Sequence, residues 1–186
     1  MKFTKKIKNN IGNYFLKKEL SKSNRKREMT NLNNAKKIGV LYNASNEKDY
    51  KLIYHFVKGL QRNQKIVKAL GFVEDSIIPH YCFPKLSFDF FTIKDLNWYH
   101  KPSNNFVNDF VKEEYDIIID FCSEDSFPVQ YITVLSKAKF KVGRYGKNHR
   151  DIYDMMIETD KEITLEQYIK QVTHYLTILN PKKNEQ

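Results

Sequence analysis

An apolar run between two aspartates constrains the fold of this chain more than any other feature. Ile117, Ile118 and Ile119 lie between Asp116 and Asp120. The run shows neither the alternation of a half-exposed strand nor the spacing of an amphipathic helix, so it predicts a strand that is buried on both faces. Strands of this kind form parallel sheets that are covered by helices. The rest of the chain is therefore expected to alternate strands and helices.

Further strands and helices can be assigned on both sides of this run. Short apolar segments predict strands at 37–42, 65–73, 86–91, 140–144 and 154–158. Apolar residues that recur every three or four positions predict a helix over 47–61, which Asn46 or Ser45 can cap, and a short helix capped by Ser103 or Asn104. They also predict a helix that has Pro128 in its first turn and runs to Lys137, and a final helix that follows a capping box at 164–167 and runs to Leu179. Strands separated by helices imply right-handed parallel crossovers. We therefore predict an α/β fold, a single three-layer, doubly wound and mainly parallel sheet of the Rossmann-like or flavodoxin-like type.

The helical stripes also predict which side chains face the core. In the short helix the stripe includes Phe106, Val107 and Phe110, and in the final helix it includes Tyr175 and Leu176. These positions recur with the period of one helix face.

Charge divides the chain into an arm and a body. Residues 1–37 contain 12 lysines and arginines but two acidic residues, a net charge of +10, whereas the remaining residues contain 20 basic and 20 acidic residues. We predict a basic amphipathic helical arm over residues 1–35, an α/β domain over 36–180 and a polar tail over 181–186. A neutral domain with a basic arm indicates a polyanionic partner.

The arm allows three interpretations. Its apolar stripe, which includes Phe3, Ile7, Ile11 and Leu20, can pack on the domain while the lysines face water. Its basic residues can instead bind nucleic-acid phosphates, or the helix can lie on anionic lipid. The basic cluster does not separate the last two, because phosphate attracts it in both. The residues that we expect to contact the polyanion are Lys5, Lys6, Lys8, Lys17, Lys18, Arg25, Lys26 and Arg27.

Polar residues near the ends of the predicted strands form a second candidate site. In open parallel sheets, ligands bind beyond the carboxyl ends of the strands. The residues of this possible ligand pocket are Asn43, Ser45, Asp120, Ser123 and Arg144. No glycine-rich phosphate loop follows the first strand, so a plain loop that caps the next helix is the alternative for the first two.

A smaller basic cluster follows the strand at 140–144. Its members are Arg144, Lys147, His149 and Arg150. These side chains can bind a phosphate group, or they can pair with the acidic residues at positions 124 and 125 on the same edge of the sheet.

Cysteine usage and hydropathy narrow the location of the protein. Cys82 and Cys122 have no CxxC spacing and lie near no histidine cluster, so we predict buried free thiols and no metal site. No apolar run has the length of a membrane span, and the first residues lead into no signal peptide. We expect a cytoplasmic protein without a cofactor or an integral membrane segment, with the surface of the inner membrane as an alternative location.

Two resemblances rest on longer motifs. The segments 93–98 (IKDLNW), Lys101-Pro102, 115–120 (YDIIID) and 128–144, which ends Lys141-Val142-Gly143-Arg144, look like an uncharacterised conserved family of small basic proteins from Bacteroidota. That resemblance implies no particular activity. Residues 115–144 are also similar to the N-terminal Rossmann half of heptosyltransferase-type glycosyltransferases, which implies a Rossmann-like fold for this segment.

These observations favour a non-enzymatic binding or accessory protein. We expect its basic arm to engage a polyanion, with RNA or the ribosome as the favoured partner. The alternative is a small α/β enzyme or ligand-binding domain for a nucleotide or a phosphorylated metabolite, and a further alternative is peripheral association with the inner membrane through the arm.

Overall fold

The computed structural model describes residues 2–83, 85–122, 126–160 and 162–180, although not the side chains of residues 2–7 and 9. Ser123, the acidic residues at 124 and 125, the side chains of Lys5 and Lys6, and the predicted tail at 181–186 therefore lie outside the described residues. The helices are α1 (Lys2–Lys22), α2 (Glu47–Arg62), α3 (Asn105–Lys112), α4 (Phe127–Leu135) and α5 (Leu165–Ile178). The strands are β1 (Lys37–Asn43), β2 (Ile66–Val73), β3 (Phe88–Thr92), β4 (Ile117–Asp120), β5 (Phe140–Arg144) and β6 (Met155–Ile157).

The strands form one parallel sheet in the order β3-β2-β1-β4-β5-β6. The predicted parallel α/β architecture is thus confirmed. The central register places Val40 of β1 beside Ala69 of β2 and Ile119 of β4. The chain leaves the β3 edge and returns beside β1, so the switch in strand order lies between β1 and β4, where folds of this type have a crevice at the carboxyl ends.

Helices cover both faces of the sheet. On β4, Ile117 and Ile119 belong to the core cluster that contains the buried residues of α2 and α5. Ile118 belongs to the cluster that contains Val107 and Phe110 of α3 and Val129 and Ile132 of α4. Successive strand residues point to opposite faces, so a strand between two helical layers is apolar at every position. This explains the unbroken isoleucine run and confirms the three layers.

Side chains cap the helices where the sequence predicted. Asn46 caps α2, Asn104 caps α3, and Thr164 forms the predicted capping box with Gln167 at the start of α5. Each cap satisfies a backbone N–H that has no partner within its helix. The predicted N-terminal starts of these helices are therefore close to the observed starts.

Two predicted core residues are wrong. Phe106 is 46% exposed and Tyr175 is 43% exposed. In α3, a helix of two turns, only Val107 and Phe110 are buried, so the buried stripe is narrower than the apolar stripe of the sequence. In α5, Leu176 is buried but the adjacent Tyr175 is not, because here too the buried stripe is narrower than the apolar stripe.

The described part of α1 packs against the domain. Leu16 is buried in a cluster with Tyr131 and Val134 of α4. A Cβ atom on Gly12 would lie 2.9 Å from Cζ of Phe127 and 2.9 Å from the carbonyl oxygen of Tyr99, so glycine allows the helix to approach closely there. The apolar face of this part of α1 therefore packs on the domain, which is the first of the three interpretations of the arm.

The segment between α1 and β1 is also held by the domain. The N–H of Glu28 donates to the carbonyl oxygen of Lys139, and the N–H of Leu32 donates to that of Leu176. Asp116 accepts hydrogen bonds from the backbone N–H groups of Lys36 and Lys37. Among the described residues, no helix is both long and apolar enough to cross a membrane.

Candidate functional site

A basic cleft lies between α1, the start of α4 and the β5–β6 loop. Its volume is about 720 Å³. The basic and acidic residues and the histidines among its described lining are Lys17, His100, Lys147, His149, Arg150 and Asp151. Two segments that are far apart in sequence, α1 and the β5–β6 loop, thus contribute cations to one cleft.

Packing of α1 sets the direction of Lys17. Leu16 faces α4 and is buried, so Lys17 is exposed on the adjacent side of the helix and lines the cleft. The neighbouring helical positions of Lys18 and Lys8 are also exposed. The lysines therefore occupy the face of the helix that the domain does not cover.

The shape of the β5–β6 loop depends on His149. Its Nδ1 lies 3.1 Å from the carbonyl oxygen of Arg144, and its Nε2 lies 3.0 Å from Nε2 of Gln130. A Cβ atom on Gly146 would lie 2.5 Å from Nδ1 of this ring, so the turn needs glycine. The buried ring joins the loop to β5 and α4, while Lys147 and Arg150 are exposed beside the cleft.

A smaller cavity of about 500 Å³ adjoins the cleft, and both are lined by Lys17 and Asp151. Its lining also includes Arg25, Arg27 and Lys141. The described lining of the cavity thus contains five charged residues, four of them basic.

Arg25 is engaged within the protein and does not present a free cation. Its Nη2 lies 2.6 Å and 2.7 Å from the two carboxylate oxygens of Asp154, and its Nη1 donates to the carbonyl oxygens of Ala138 and Lys139. Its side chain is 5% exposed. We therefore leave Arg25 out of the polyanion-binding surface. The sequence did not reveal this ion pair, because Asp154 lies 129 positions away from Arg25 in the chain.

The other described members of the predicted polyanion-binding set are exposed. Lys8, Lys17, Lys18, Lys26 and Arg27 all have exposed side chains. Lys26 lies 3.6 Å from Glu28, and Arg27 lies 3.8 Å from Asp154. Because both cations are exposed to water, these ion pairs hold them weakly.

Sequence reasoning missed the burial of Lys141. Its Nζ donates hydrogen bonds to the carbonyl oxygens of Thr133 and Val134 in the last turn of α4. Burial, together with the positive charge of Arg25, lowers the pKa of Lys141 to about 7. The available signal was its position inside the apolar strand β5, where both faces of the sheet are covered.

The described residues of the predicted strand-end pocket form hydrogen bonds with different partners. Asn43 donates from Nδ2 to Oε1 of Glu74 at 2.8 Å, and the backbone N–H of Glu74 donates to Oγ of Ser45 at 2.9 Å. These bonds join the ends of β1 and β2. They support the plain-loop alternative for Asn43 and Ser45.

Asp120 has a mainly structural environment. The carboxylate accepts hydrogen bonds from the N–H of Cys122 at 2.9 Å and from the hydroxyl of Tyr153 at 2.5 Å. Burial raises the pKa of Asp120, although these hydrogen bonds oppose the rise. The residue thus links β4 to the β5–β6 loop. Cys122 and Cys82 are both buried and free, as predicted.

Among the described members of the predicted pocket, Arg144 has buried hydrogen-bond donors without a partner. Its Nη1 donates to Oγ1 of Thr159 at 3.3 Å, and its guanidinium lies 4.4 Å from the centre of the Tyr168 ring. Its Nε and Nη2 are buried and have no hydrogen-bond partner among the described residues. Buried donors without partners carry a free-energy cost of about 1–3 kcal/mol.

Comparison with known proteins identifies the family of this chain. A search of the curated proteins found none that matches this chain. The model of a family described as a family of unknown function (DUF6913) matches residues 8–179. This match confirms the predicted membership of an uncharacterised conserved family. The chain belongs to the family of unknown function DUF6913.

Proposed function

We propose that the protein binds RNA phosphates in the basic cleft between α1 and the β5–β6 loop. The observation that carries this proposal is the meeting of Lys17 with Lys147 and Arg150 on the lining of one cleft. Asp151 is the single acidic residue among the described lining. A concave surface with an excess of positive charge concentrates the field and attracts polyanions more strongly than isolated surface charges do.

The cations of the cleft are available for a ligand. Lys17, Lys147 and Arg150 are exposed, and none of them forms an ion pair with another described residue. Binding of a phosphate to such side chains releases counterions and needs no protein ion pair to break. The cleft cations differ in this respect from Arg25, whose charge is already neutralised by Asp154.

Packing of α1 favours nucleic acid over lipid as the polyanion. A helix that lies on a membrane inserts its apolar face between the lipids. The apolar face of α1 already packs against the domain, where Leu16 is buried and Phe15 and Leu20 are partly buried. The exposed lysines remain for phosphates, but this part of the helix has little apolar surface left for a membrane.

The triple variant Lys17→Gln/Lys147→Gln/Arg150→Gln is expected to weaken RNA binding about 100-fold near 0.1 M salt. Each lost phosphate contact on a single strand reduces the slope of log K against log salt by about 0.7, so the slope is expected to fall by about 2. Fluorescence anisotropy of a labelled RNA across a salt series measures both quantities.

A matched control removes three exposed cations outside the cleft. Lys48→Gln/Arg62→Gln/Lys94→Gln makes the same change in net charge at exposed positions, and is expected to retain most of the affinity. Equal losses in the two triple variants would mean that net charge, and not the cleft, attracts RNA. Binding to anionic vesicles without binding to RNA would replace the proposal by the membrane alternative.

Binding of a small anion at Arg144 is a second candidate function. The Nε and Nη2 donors lie on the same edge of the guanidinium, a fork that matches the two oxygens of a carboxylate or phosphate. Both donors are buried and lack a described partner, so a ligand reaches them when the surrounding side chains move. Since residues 115–144 resemble half of a heptosyltransferase-type glycosyltransferase, nucleotide sugars belong among the ligands to be tested.

Ligand-dependent melting tests this second function. A nucleotide, sugar phosphate or nucleotide sugar that binds Arg144 is expected to raise the melting temperature by about 5–10 °C at 100 times its dissociation constant. Arg144→Lys keeps the charge but lacks the fork, so it is expected to lose this shift. Arg150→Lys, the control in the exposed loop, is expected to keep it. Flat melting curves for all three ligand classes would exclude the second function.

A further inference from the structure

Four aromatic rings form a row beside the basic cleft. The aromatic row consists of Tyr14 and Phe15 of α1 and Tyr99 and Trp98 of the β3–α3 connection. The ring centres of Tyr14 and Phe15 lie 5.6 Å apart, those of Phe15 and Tyr99 lie 4.9 Å apart and are stacked, and those of Tyr99 and Trp98 lie 5.2 Å apart. Tyr99 also lines the cleft. The row is therefore continuous with the surface that carries the cations.

The two ends of the row are exposed. Tyr14 is 65% exposed and Trp98 is 58% exposed, whereas Phe15 and Tyr99 are partly buried. The inner rings join α1 to the domain, but the outer rings contribute little to this packing. Large exposed aromatic side chains next to a charged cleft are typical of ligand-binding surfaces.

The loop that carries Trp98 is held in one conformation. Oδ1 of Asn97 accepts hydrogen bonds from the N–H groups of Tyr99 at 3.1 Å and Lys101 at 2.9 Å, and the N–H of Asn97 donates to the carbonyl oxygen of Lys101. His100 has a φ of 69°, a left-handed conformation that is uncommon for this residue. These contacts fix the backbone that carries the tryptophan before any ligand arrives, which reduces the entropy lost on binding.

We infer that the ligand of the cleft is single-stranded RNA, whose bases stack on Trp98 and Tyr14 while its phosphates contact Lys17, Lys147 and Arg150. This inference rests on the proposed function and specifies its ligand class. Single-strand binding sites combine a positively charged groove with exposed rings on which bases stack. A duplex keeps its bases paired and stacked inside, so it can use the cations but not the rings.

Stacking and charge contacts leave different signatures in a binding experiment. The full chain is titrated with a labelled single-stranded RNA of about 12 nucleotides and with a duplex of the same length, across a salt series. We expect the single strand to bind at least about tenfold more tightly. Trp98→Leu and Tyr14→Leu are each expected to weaken single-strand binding about tenfold without changing its salt slope, because neither removes a charge. Duplex binding is expected to stay the same.

Intrinsic fluorescence gives a direct readout in the unaltered protein. Trp98 is the only tryptophan in the chain, so a base that stacks on it is expected to quench the protein's tryptophan emission. Tyr175→Leu, which changes an exposed tyrosine on α5, serves as the control and is expected to bind single strands as the unaltered protein does.

The outcomes separate this inference from the proposed function. Equal, salt-sensitive binding of single strand and duplex with unchanged tryptophan emission would overturn the inference and leave phosphate binding intact. Failure of both RNAs to bind at low salt would overturn both. Because the emission is measured on the unaltered protein, the test remains decisive even when a substituted variant is unstable.

Discussion

Asp154→Ala is expected to lower the free energy of unfolding by about 3–5 kcal/mol. The carboxylate of Asp154 forms a two-fold contact with Nη2 of Arg25 and also accepts a hydrogen bond from the backbone N–H of Lys141. The side chains of Arg25 and Asp154 are 5% and 11% exposed. Without the carboxylate, the buried guanidinium would keep its positive charge close to Lys141 with no buried partner of opposite sign.

Urea unfolding followed by circular dichroism measures this loss. The control Asp151→Ala removes an exposed carboxylate from the same loop and is expected to change stability by no more than about 0.5 kcal/mol. The double variant Arg25→Met/Asp154→Asn is expected to lose less than Asp154→Ala, because it buries no unpaired charge and keeps an acceptor for the Lys141 N–H. Equal losses for Asp154→Ala and Asp151→Ala would show that the ion pair contributes little.

The free energy of unfolding is expected to rise between pH 7 and about pH 8.5, and Lys141→Met is expected to abolish this rise. Burial lowers the pKa of Lys141 from 10.5 to about 7, an effect that Arg25 and Arg27 strengthen and Asp154 opposes. Between these values the unfolded chain binds a proton that the folded protein lacks, so raising the pH favours folding. Below pH 7 both states are protonated and the folded protein carries the full cost.

The pH range of this effect is limited by cysteines and tyrosines. Burial raises the pKa of Cys82 to about 11 and also raises that of Cys122, so above about pH 8.5 the unfolded chain loses these thiol protons first and folding becomes less favourable. Above about pH 10 the buried tyrosines act in the same direction, because burial raises the pKa of Tyr131 to about 12 and that of Tyr115 further. Within pH 7–8.5 the lysine contributes up to about 2 kcal/mol, at 1.36 kcal/mol for each pH unit.

Urea unfolding at several pH values tests the role of the lysine. Lys137→Met, at an exposed position between α4 and β5, is the matched control and is expected to keep the rise. The interpretation would be wrong if Lys141→Met showed the same pH dependence as the unaltered protein. The substitution also removes the donor to the carbonyl oxygens of Thr133 and Val134, so the slope with pH, and not the absolute stability, is the diagnostic quantity.

Integration of α1 into the fold changes how the arm should be tested. Leu16 shares an apolar cluster with α4 and the β5–β6 loop, and the segment after α1 is hydrogen-bonded to the α4–β5 connection and to α5. Removal of residues 1–35 would therefore expose buried apolar surface and disturb the cleft. Charge-removing substitutions at exposed lysines test ligand binding without this loss of packing.

Local sequence patterns were sufficient for the elements of the fold. A strand that is buried on both faces needs apolar side chains at successive positions. The isoleucine run therefore identified β4 and a parallel sheet. The asparagine and threonine caps marked the starts of α2, α3 and α5 because they satisfy N–H groups of the first turn. The concentration of net positive charge in residues 1–37 likewise needed only the sequence.

The sequence by itself determined the strands, the helices, the parallel α/β class and the location of the excess charge. Only the tertiary structure decided which cations remain available, because the partner of Arg25 is 129 positions away. It also decided that Lys17 meets Lys147 and Arg150 in one cleft and that Tyr14 and Trp98 end one aromatic row. Secondary structure follows from interactions between near neighbours in the chain, whereas a binding surface follows from helix packing that joins distant segments.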